Sequence, residues 1–301
     1  MQRNGEDRGY MADLFNQVFT PSSFQELFSA WNRFPDALLY AGGTGFLRNL
    51  GKRIPSLPKN IISLDKMEEL QAVSRTERYL EIGAMVKLSQ IIQLGRIVPE
   101  VLTRCIENIA CPEIRNQATI GGNLCHPPYR LDCTAPMIAL DAQYELRTSQ
   151  SYRWISASRF SSLPGPPALM PEEILTKIRI PLEPWDFTWY RKFQIPGSNE
   201  AGAGILFIIK TQKNILTDIK VIYSGYTILR EKNSESMLKD KHLPLEKRDA
   251  MLFLDRWKHY LSIYEGNEDF IFTGKYGNTS PELIKAQILN FIETTLQHIS
   301  D

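Results

Sequence analysis

Two glycine-rich segments constrain the fold of this chain more than any other feature of its sequence. Residues 41–45 read Ala-Gly-Gly-Thr-Gly, and residues 118–123 read Ala-Thr-Ile-Gly-Gly-Asn. Glycine permits a positive φ and lets another group approach the backbone closely, and successive N–H groups in such a turn can point at one anion. Each segment alone is compatible with a tight turn that holds no ligand. Together they favour a clamp on two sides of an elongated anionic ligand, such as a dinucleotide pyrophosphate.

The apolar pattern predicts strands alternating with helices in the first 181 residues. The first helix begins at Ser22 or Ser23, since apolar residues then recur every three or four positions. The first glycine segment lies between a strand and a helix, and the second is predicted to be a glycine turn. The predicted strands are 37–41, 61–64, 78–83, 143–147, 152–155 and 173–181, and the predicted helices are 24–34, 46–53, 88–94, 99–109 and 134–140.

A different pattern is predicted after residue 181. An aromatic strand over 185–193 is followed by a hairpin, 204–211 with 217–223, around Lys213-Asn214. Two amphipathic helices, 249–264 and 281–299, complete the chain. We therefore expect a domain boundary near residue 180, where the pattern changes to antiparallel strands and terminal helices.

Composition excludes several classes of protein. Lys and Arg total 35 against 34 for Asp and Glu, so the balance gives no sign of nucleic-acid binding. No apolar run approaches the roughly 20 residues of a membrane helix, and the polar N-terminus does not resemble a secretory signal. The four cysteines form no C-x-x-C pair and are typical of reduced thiols. We expect a cytoplasmic globular protein that contacts neither nucleic acid nor membrane.

Several strings resemble one family. Tyr-Ala-Gly-Gly-Thr at 40–44 and Arg-Asn-x-Ala-Thr-Ile-Gly-Gly-Asn at 115–123 look like the FAD-binding (medium) subunit of molybdenum hydroxylases, the xanthine dehydrogenase and carbon monoxide dehydrogenase type. Further matches lie at 80–84, 138–142 and 171–175. The resemblance covers about residues 17–230, and the second string is highly specific.

The resemblance implies an α+β fold in two domains. Residues 15–181 would form a two-subdomain FAD-binding fold of the vanillyl-alcohol oxidase type, with the subdomain boundary near residue 65. Residues 182–301 would form a smaller α+β C-terminal domain with an antiparallel sheet plus helices. Residues 1–14 are polar and patternless, and we expect a disordered tail there.

The resemblance also implies how FAD is held. Lys192 would approach the isoalloxazine and favour the reduced anionic flavin by its charge, with Arg191 as the alternative register. Asp132 would reach a polar group of the ribityl or adenosine portion, and Leu175 would lie near the flavin or its adenosine end. The residues that would hold the pyrophosphate are Leu39, Tyr40, Ala41, Gly42, Gly43, Thr44, Gly45 and Phe46 on one side, and Thr119, Gly122 and Asn123 on the other.

The function implied is that of an oxidoreductase subunit. FAD would pass electrons from a [2Fe-2S] ferredoxin-like partner to NAD⁺ or another acceptor. That partner would itself be reduced by a molybdopterin-binding large subunit. This chain carries no cysteine set for an iron–sulfur cluster and no metal-ligand spacing, so both partners would be separate chains.

Two alternatives stay open: a flavin-free scaffold or regulatory protein that keeps the fold, and a stand-alone flavoprotein oxidase. Gly45 and Leu131 depart from the family pattern and favour the flavin-free alternative, as does the absence of arginine after Lys192. His126 is either a cofactor contact or a plain loop residue. Trp185, Trp189 and Tyr190 are predicted to belong to the core of the second domain.

Overall fold

A computed structural model describes most of the chain. It covers residues 17–50, 58–126, 132–161, 167–193, 203–225, 227–263 and 281–300, with the backbone alone at 48–50. The predicted tail at 1–14 and the departure at Leu131 lie outside these residues. Among the described helices, none combines the length and the apolar character that crossing a membrane requires.

A small parallel sheet carries the first glycine segment. Its strands are β1 (Gln17–Phe19), β2 (Leu38–Tyr40) and β3 (Asn60–Ser63), in the order β1-β3-β2. Helix α1 (Phe24–Arg33) begins at Ser23, whose side chain accepts a hydrogen bond from the amide of Glu26, as the capping pattern predicts. Helix α2 (Thr44–Leu50) starts directly after Gly42 and Gly43, and Gly45 lies in its first turn. The predicted order of strand, glycine turn and helix is therefore confirmed.

A five-stranded sheet forms the next layer. Its strands are β4 (Val73–Arg75), β5 (Tyr79–Gly83), β6 (Gln143–Arg147), β7 (Tyr152–Ser156) and β8 (Ile174–Pro181), in the order β4-β5-β8-β6-β7. Every neighbouring pair is antiparallel. The expectation that antiparallel strands begin only after residue 180 is therefore wrong. Periodicity locates strands but not their partners, and here β8 inserts between β5 and β6.

Short helices cover one face of this sheet. They are α3 (Leu88–Gln93), α4 (Glu100–Glu107), α5 (Pro112–Gln117), α6 (Ile120–Cys125), α7 (Thr134–Ala139) and α8 (Ala157–Phe160). Apart from α5, which buries no side chain, these helices form one core with alternate residues of the strands, including Ile82, Tyr144 and Ile178. This alternation is the two-residue period of a sheet with one face buried. Single-turn 3-10 helices span Glu68–Leu70 and Gly95–Ile97.

The described residues after β8 form a four-stranded antiparallel sheet with three helices. Its strands are β9 (Phe187–Phe193), β10 (Ala203–Gln212), β11 (Ile215–Ser224) and β12 (Ile228–Leu229), in the order β12-β11-β10-β9. Lys213 and Asn214 have φ values of 51° and 60°, which suit a two-residue hairpin loop and confirm the predicted hairpin. The helices are α9 (Lys232–Leu238), α10 (Lys247–Ser262) and α11 (Pro281–Ser300).

This second sheet is buried on both faces. Leu206 and Ile208 of β10 join the core of the five-stranded sheet, whereas Phe207 and Ile209 pack against α10 and α11. Strand β9 has the same alternation, since Tyr190 packs on the first core and Trp189 on the second. One face of β9 therefore points toward the glycine segments. Trp185 also packs on the first core. All three aromatic residues therefore pack on a core that includes residues of the second domain, Trp185 and Tyr190 on the one shared with the five-stranded sheet and Trp189 on the one beneath α10 and α11.

Candidate functional site

The first glycine segment is a tight turn between β2 and α2. Gly43 has a φ of +70°, a left-handed conformation that side chains rarely adopt. A methyl group built on Gly43 would lie 2.0 Å from the hydroxyl oxygen of Tyr40. The ring of Tyr40 in turn meets the ring of Phe46 edge to face, with centroids 6.5 Å apart. Both backbone conformation and space therefore require glycine at position 43.

The backbone amides of this turn are open to a ligand. Among the described residues, no protein acceptor receives a hydrogen bond from the amides of residues 42–46. The first hydrogen bond of the segment runs from the amide of Leu47 to the carbonyl of Gly43, at 2.9 Å. Unpaired backbone donors are costly away from water, but these residues are half-exposed. A row of donors with no acceptor among the described residues matches the chemistry of a phosphate group.

The second glycine segment has a different structure from the one predicted. Gly121 and Gly122 lie in the first turn of helix α6 and do not form a separate turn. Thr119 caps this helix, and its side-chain oxygen accepts from the amide of Gly122 at 3.0 Å. The amide of Ile120 donates to the carbonyl of Val86, and the amide of Gly121 donates to the carbonyl of Ala84. The prediction of a glycine turn here is wrong, because glycine has a low helix propensity that packing overrides.

Packing explains both glycines of the second segment. A methyl group on Gly121 would lie 2.7 Å from the side chain and from the carbonyl oxygen of Ala84. A methyl group on Gly122 would lie 2.9 Å from the side-chain oxygen of Thr119 and 3.9 Å from the side chain of Ala41. Gly121 therefore lets the helix approach the chain beside β5, whereas Gly122 faces the first turn.

The two glycine segments lie against each other. A methyl group on Gly42 would lie 2.0 Å from the carbonyl oxygen of Gln117, just before the cap of α6. The backbone of the first turn thus touches the backbone that leads into α6. Since Gly122 also faces Ala41, the structure brings together the two segments that the sequence analysis paired.

A buried ion pair joins two other predicted site residues. The Nζ atom of Lys192 lies 2.8 Å from a carboxylate oxygen of Asp132, and the Asp132 side chain is only 4% exposed. Lys192 also donates to the carbonyl of Asn108 at 3.3 Å, and the Tyr190 hydroxyl lies 3.4 Å from the same Asp132 oxygen. Burial, with the nearby Asp132 charge adding to it, raises the pKa of Tyr190, so its hydroxyl stays protonated and donates to the carboxylate.

Asn123 links this ion pair to the glycine segments. Its side-chain oxygen accepts from the amide of Cys133 at 3.1 Å, directly after Asp132. The buried thiol of Cys105 donates to the Asp132 carbonyl at 3.1 Å, and burial raises its pKa well above the ordinary value, so it stays neutral. The hydrogen-bonded path therefore runs from α6 through Asp132 to β9.

The register of β9 is decided by its contacts. Arg191 lies on the opposite face from Lys192, where its guanidinium lies 3.3 Å from the side-chain oxygen of Asn290 and 5.2 Å from the ring centroid of Phe291. Lys192, not Arg191, therefore points toward the side of the glycine segments. Tyr190 shares that face. Its two-residue spacing from Lys192 is the sequence signal that would have placed it there.

Two leucines among the predicted residues lie in apolar surroundings. Leu175 is 3% exposed within the core of the five-stranded sheet, and Leu39 packs against the small core beneath α1. Their side chains therefore contribute to packing. Thr44, by contrast, stands half-exposed at the start of α2.

Comparison with known proteins now identifies the family. A family model described as the FAD binding domain in molybdopterin dehydrogenase matches residues 13–183. The chain belongs to this family. The nicotine 6-hydroxylase medium subunit of Paenarthrobacter nicotinovorans is 24% identical over 237 residues, 77% of this chain and 82% of that protein. The xanthine dehydrogenase FAD-binding subunit of Escherichia coli O157:H7 is 31% identical over 154 residues, 50% of this chain and 52% of that protein.

Solved structures show the same fold over nearly the whole chain. Carbon monoxide dehydrogenase from Hydrogenophaga pseudoflava superposes with a TM-score of 0.77 at 22% identity, covering 95% of this chain and 97% of that one. Quinoline 2-oxidoreductase from Pseudomonas putida 86 gives 0.78 at 18% identity, with 94% and 96% covered. The mixed helix and sheet fold is therefore confirmed.

The family establishes the cofactor. The chain is an FAD-binding subunit of the molybdenum hydroxylase family. The relatives that it matches are FAD subunits of oxidoreductases. The predictions of family, oxidoreductase class and FAD are confirmed. The open amides of residues 42–46 and the positive φ of Gly43 are the features of this structure that fit the phosphates of FAD.

Proposed function

We propose that this chain passes electrons through FAD from a [2Fe-2S] partner subunit to NAD⁺ or another acceptor. The observation that carries the proposal is the row of amides at residues 42–46, which donate to no described residue and lie against α6. Asn123 of α6 is linked through Asp132 to Lys192 on β9. FAD, when bound, supplies the redox chemistry. The residues of this chain hold the cofactor and set the charge around it.

The first turn would hold most of the pyrophosphate. In this proposal residues 39–46 wrap it, with the amides of 42–46 as donors and the Thr44 hydroxyl beside them. Thr119, Gly122 and Asn123 approach from α6. Thr119 keeps its hydroxyl proton for donation, since its oxygen accepts from Gly122. The oxygen of Asn123 accepts from Cys133, and its amide NH₂ group donates to no described residue and would face the phosphates.

The ion pair would set the charge near the flavin. Lys192 brings one positive charge toward the cofactor, and Asp132 both holds that ammonium in place and reduces its effective charge. Asp132 would also meet a polar group of the ribityl or adenosine portion. Because its side chain is buried, Leu175 would approach the flavin or its adenosine end through the strand backbone.

We also propose the domain organisation of the vanillyl-alcohol oxidase type. The parallel sheet and the five-stranded sheet would be the two subdomains, with the boundary near residue 65, directly after β3. The C-terminal domain would start at residue 182, after β8. FAD would lie between these parts.

We propose that the [2Fe-2S] ferredoxin-like subunit and the molybdopterin-binding large subunit are separate chains. Relatives named as medium subunits or medium chains support this, since such names imply companions. In the described residues, no three His, Cys, Asp or Glu side chains are arranged to hold a metal ion. Expression with the neighbouring reading frames tests the assembly. We expect two further chains to co-purify, whereas a yellow protein that is active alone would contradict it.

Replacing Lys192 tests the flavin assignment. A cation near the ring favours the reduced anionic flavin, and Lys192→Met also leaves Asp132 buried without its partner. We therefore expect the flavin midpoint potential to fall by about 20–60 mV, from a net effect of a few kcal/mol, and flavin reduction by the iron–sulfur partner to slow. FAD affinity should change little.

Arg191→Met is the matched control, one residue away on the opposite face of β9. It should leave the potential unchanged, as measured by redox titration of the purified holoprotein. An unchanged potential in Lys192→Met would contradict the placement of Lys192 at the flavin. A shift in Arg191→Met alone would contradict the register.

A further inference from the structure

The imidazole of His126 lies on the first glycine turn. A methyl group built on Gly45 would lie 2.0 Å from Cδ2 and 2.4 Å from Nε2 of His126. The ring therefore occupies the space that any side chain at position 45 would need. His126 follows Cys125 at the end of α6, so the second glycine segment brings this ring to the first.

The turn itself has no charged side chain. Residues 41–46 read Ala-Gly-Gly-Thr-Gly-Phe, and their amides are neutral donors. A pyrophosphate brings negative charge, and hydrogen bonds to a charged group are about twice as strong as neutral ones. Of the ring nitrogens, Nε2 is the one that the contacts place against Gly45. The amides of Gly45 and Phe46, in the same turn, donate to no described residue.

We propose that His126 is a cofactor-binding residue that donates a hydrogen bond from Nε2 to a phosphate oxygen held by the turn at residues 41–46. Gly45 is glycine because the ring takes the place of its side chain. Gly45 and His126 thus form one structural unit. The departure of Gly45 from the family pattern then has a structural reason that is compatible with FAD binding. The inference rests on the proposed assignment of this turn to the pyrophosphate.

FAD titration of the apoprotein tests the proposal. A hydrogen bond to a charged group contributes about 1.5–3 kcal/mol, so His126→Ala should weaken FAD binding about tenfold to a hundredfold. His126→Gln should recover most of the affinity, because its amide nitrogen can reach a similar position. His259→Ala, at an exposed histidine of α10, should bind FAD as the wild type does. Circular dichroism checks that each variant is folded.

A double-mutant cycle tests the unit formed with Gly45. Gly45→Ala displaces the ring and should weaken FAD binding in the wild-type background. It should cost much less in a His126→Ala background, where the ring is absent. An equal loss in both backgrounds would overturn the coupling.

An independent readout uses the wild-type apoprotein. The ring-proton NMR signal that is missing from His126→Gln should shift when FAD, or ADP as a pyrophosphate probe, is added. Binding of FAD by His126→Ala within twofold of wild type, or an unmoved His126 signal, would overturn the proposal for His126 alone. Wild-type apoprotein that takes up no FAD would instead overturn the assignment of the turn.

Discussion

The two glycine segments look alike in sequence, but their backbones differ. In the first, the amides of residues 42–46 donate to no acceptor within the described protein. In the second, the amides of residues 120–123 all donate within the chain, to Val86, Ala84 and Thr119. The amides of the first segment can therefore donate to a ligand. Those of the second donate within the first turn of α6 and to the chain that follows β5, which holds the helix in place.

The two segments contain glycine for different structural reasons. Gly43 allows a left-handed turn, and Gly121 allows close packing of a helix on Ala84. A glycine beside a hydroxyl residue is compatible with both uses. We therefore infer that the first segment is the ligand-binding turn and that the second mainly supports it. The predictions below test this division.

The largest effect is expected in the supporting segment. Gly121→Ala forces a methyl group to 2.7 Å from the Ala84 backbone, where the amide of Gly121 donates at 2.8 Å. Overpacking and a strained hydrogen bond should lower the free energy of unfolding of the apoprotein by about 3 kcal/mol. Urea denaturation followed by circular dichroism measures this. A loss below 1 kcal/mol would mean that the helix is not held as described.

A smaller effect, on the cofactor, is expected in the first turn. Gly43→Ala should weaken FAD binding by about 1.5–3 kcal/mol, because the turn must shift away from Tyr40 and misdirect its amides. Gly95→Ala is the matched control: Gly95 has a φ of +65° with open space around its α-carbon. Both variants bear a similar backbone strain of roughly 1 kcal/mol. Equal FAD affinity in the two, by fluorescence titration, would show that the first turn is structural.

The two hydroxyl residues should differ in the same way. Thr119→Val removes the cap of α6 and should cost about 1 kcal/mol of stability. Thr44→Val, at a half-exposed position without a described partner, should leave stability nearly unchanged and weaken FAD binding by about 1 kcal/mol. Thermal unfolding of the apoprotein and FAD titration measure the two effects. The reverse pattern would exchange the roles of the two segments.

Much of the fold was predictable from local sequence. Ser23 caps α1 as expected, and the strand–turn–helix order at 38–50 and the hairpin at Lys213-Asn214 are confirmed. Each depends on a short-range signal: a capping side chain, glycines after an apolar run, or residues that tolerate a positive φ. The short elements β1, β4, α5, α8, β12 and α9 were not predicted, since each has too few residues for a clear period.

The parts that were mispredicted depend on distant contacts. In the order β5-β8-β6, β8 pairs with β5, a strand about a hundred residues before it, as well as with the nearer β6, and no local pattern reports that choice. Helix α6 contains two glycines because Ala84 leaves no room for a side chain at position 121, and the Thr119 oxygen that caps the helix lies close to position 122. Likewise, Asp132 and Lys192 were each expected to contact the cofactor, but their ion pair was not predicted. It depends on the packing of β9 beside α4, which no local sequence pattern reports.

Amide hydrogen exchange, followed by NMR with and without FAD, tests the central claim most directly. Without FAD, the amides of Gly42, Gly43 and Gly45 should exchange quickly because no described residue accepts from them, whereas those of Ile120 and Gly121 should be protected. Adding FAD should slow exchange in the first group and leave the second nearly unchanged. Slow exchange at residues 42–45 without FAD, or FAD-dependent protection confined to residues 120–122, would contradict the account.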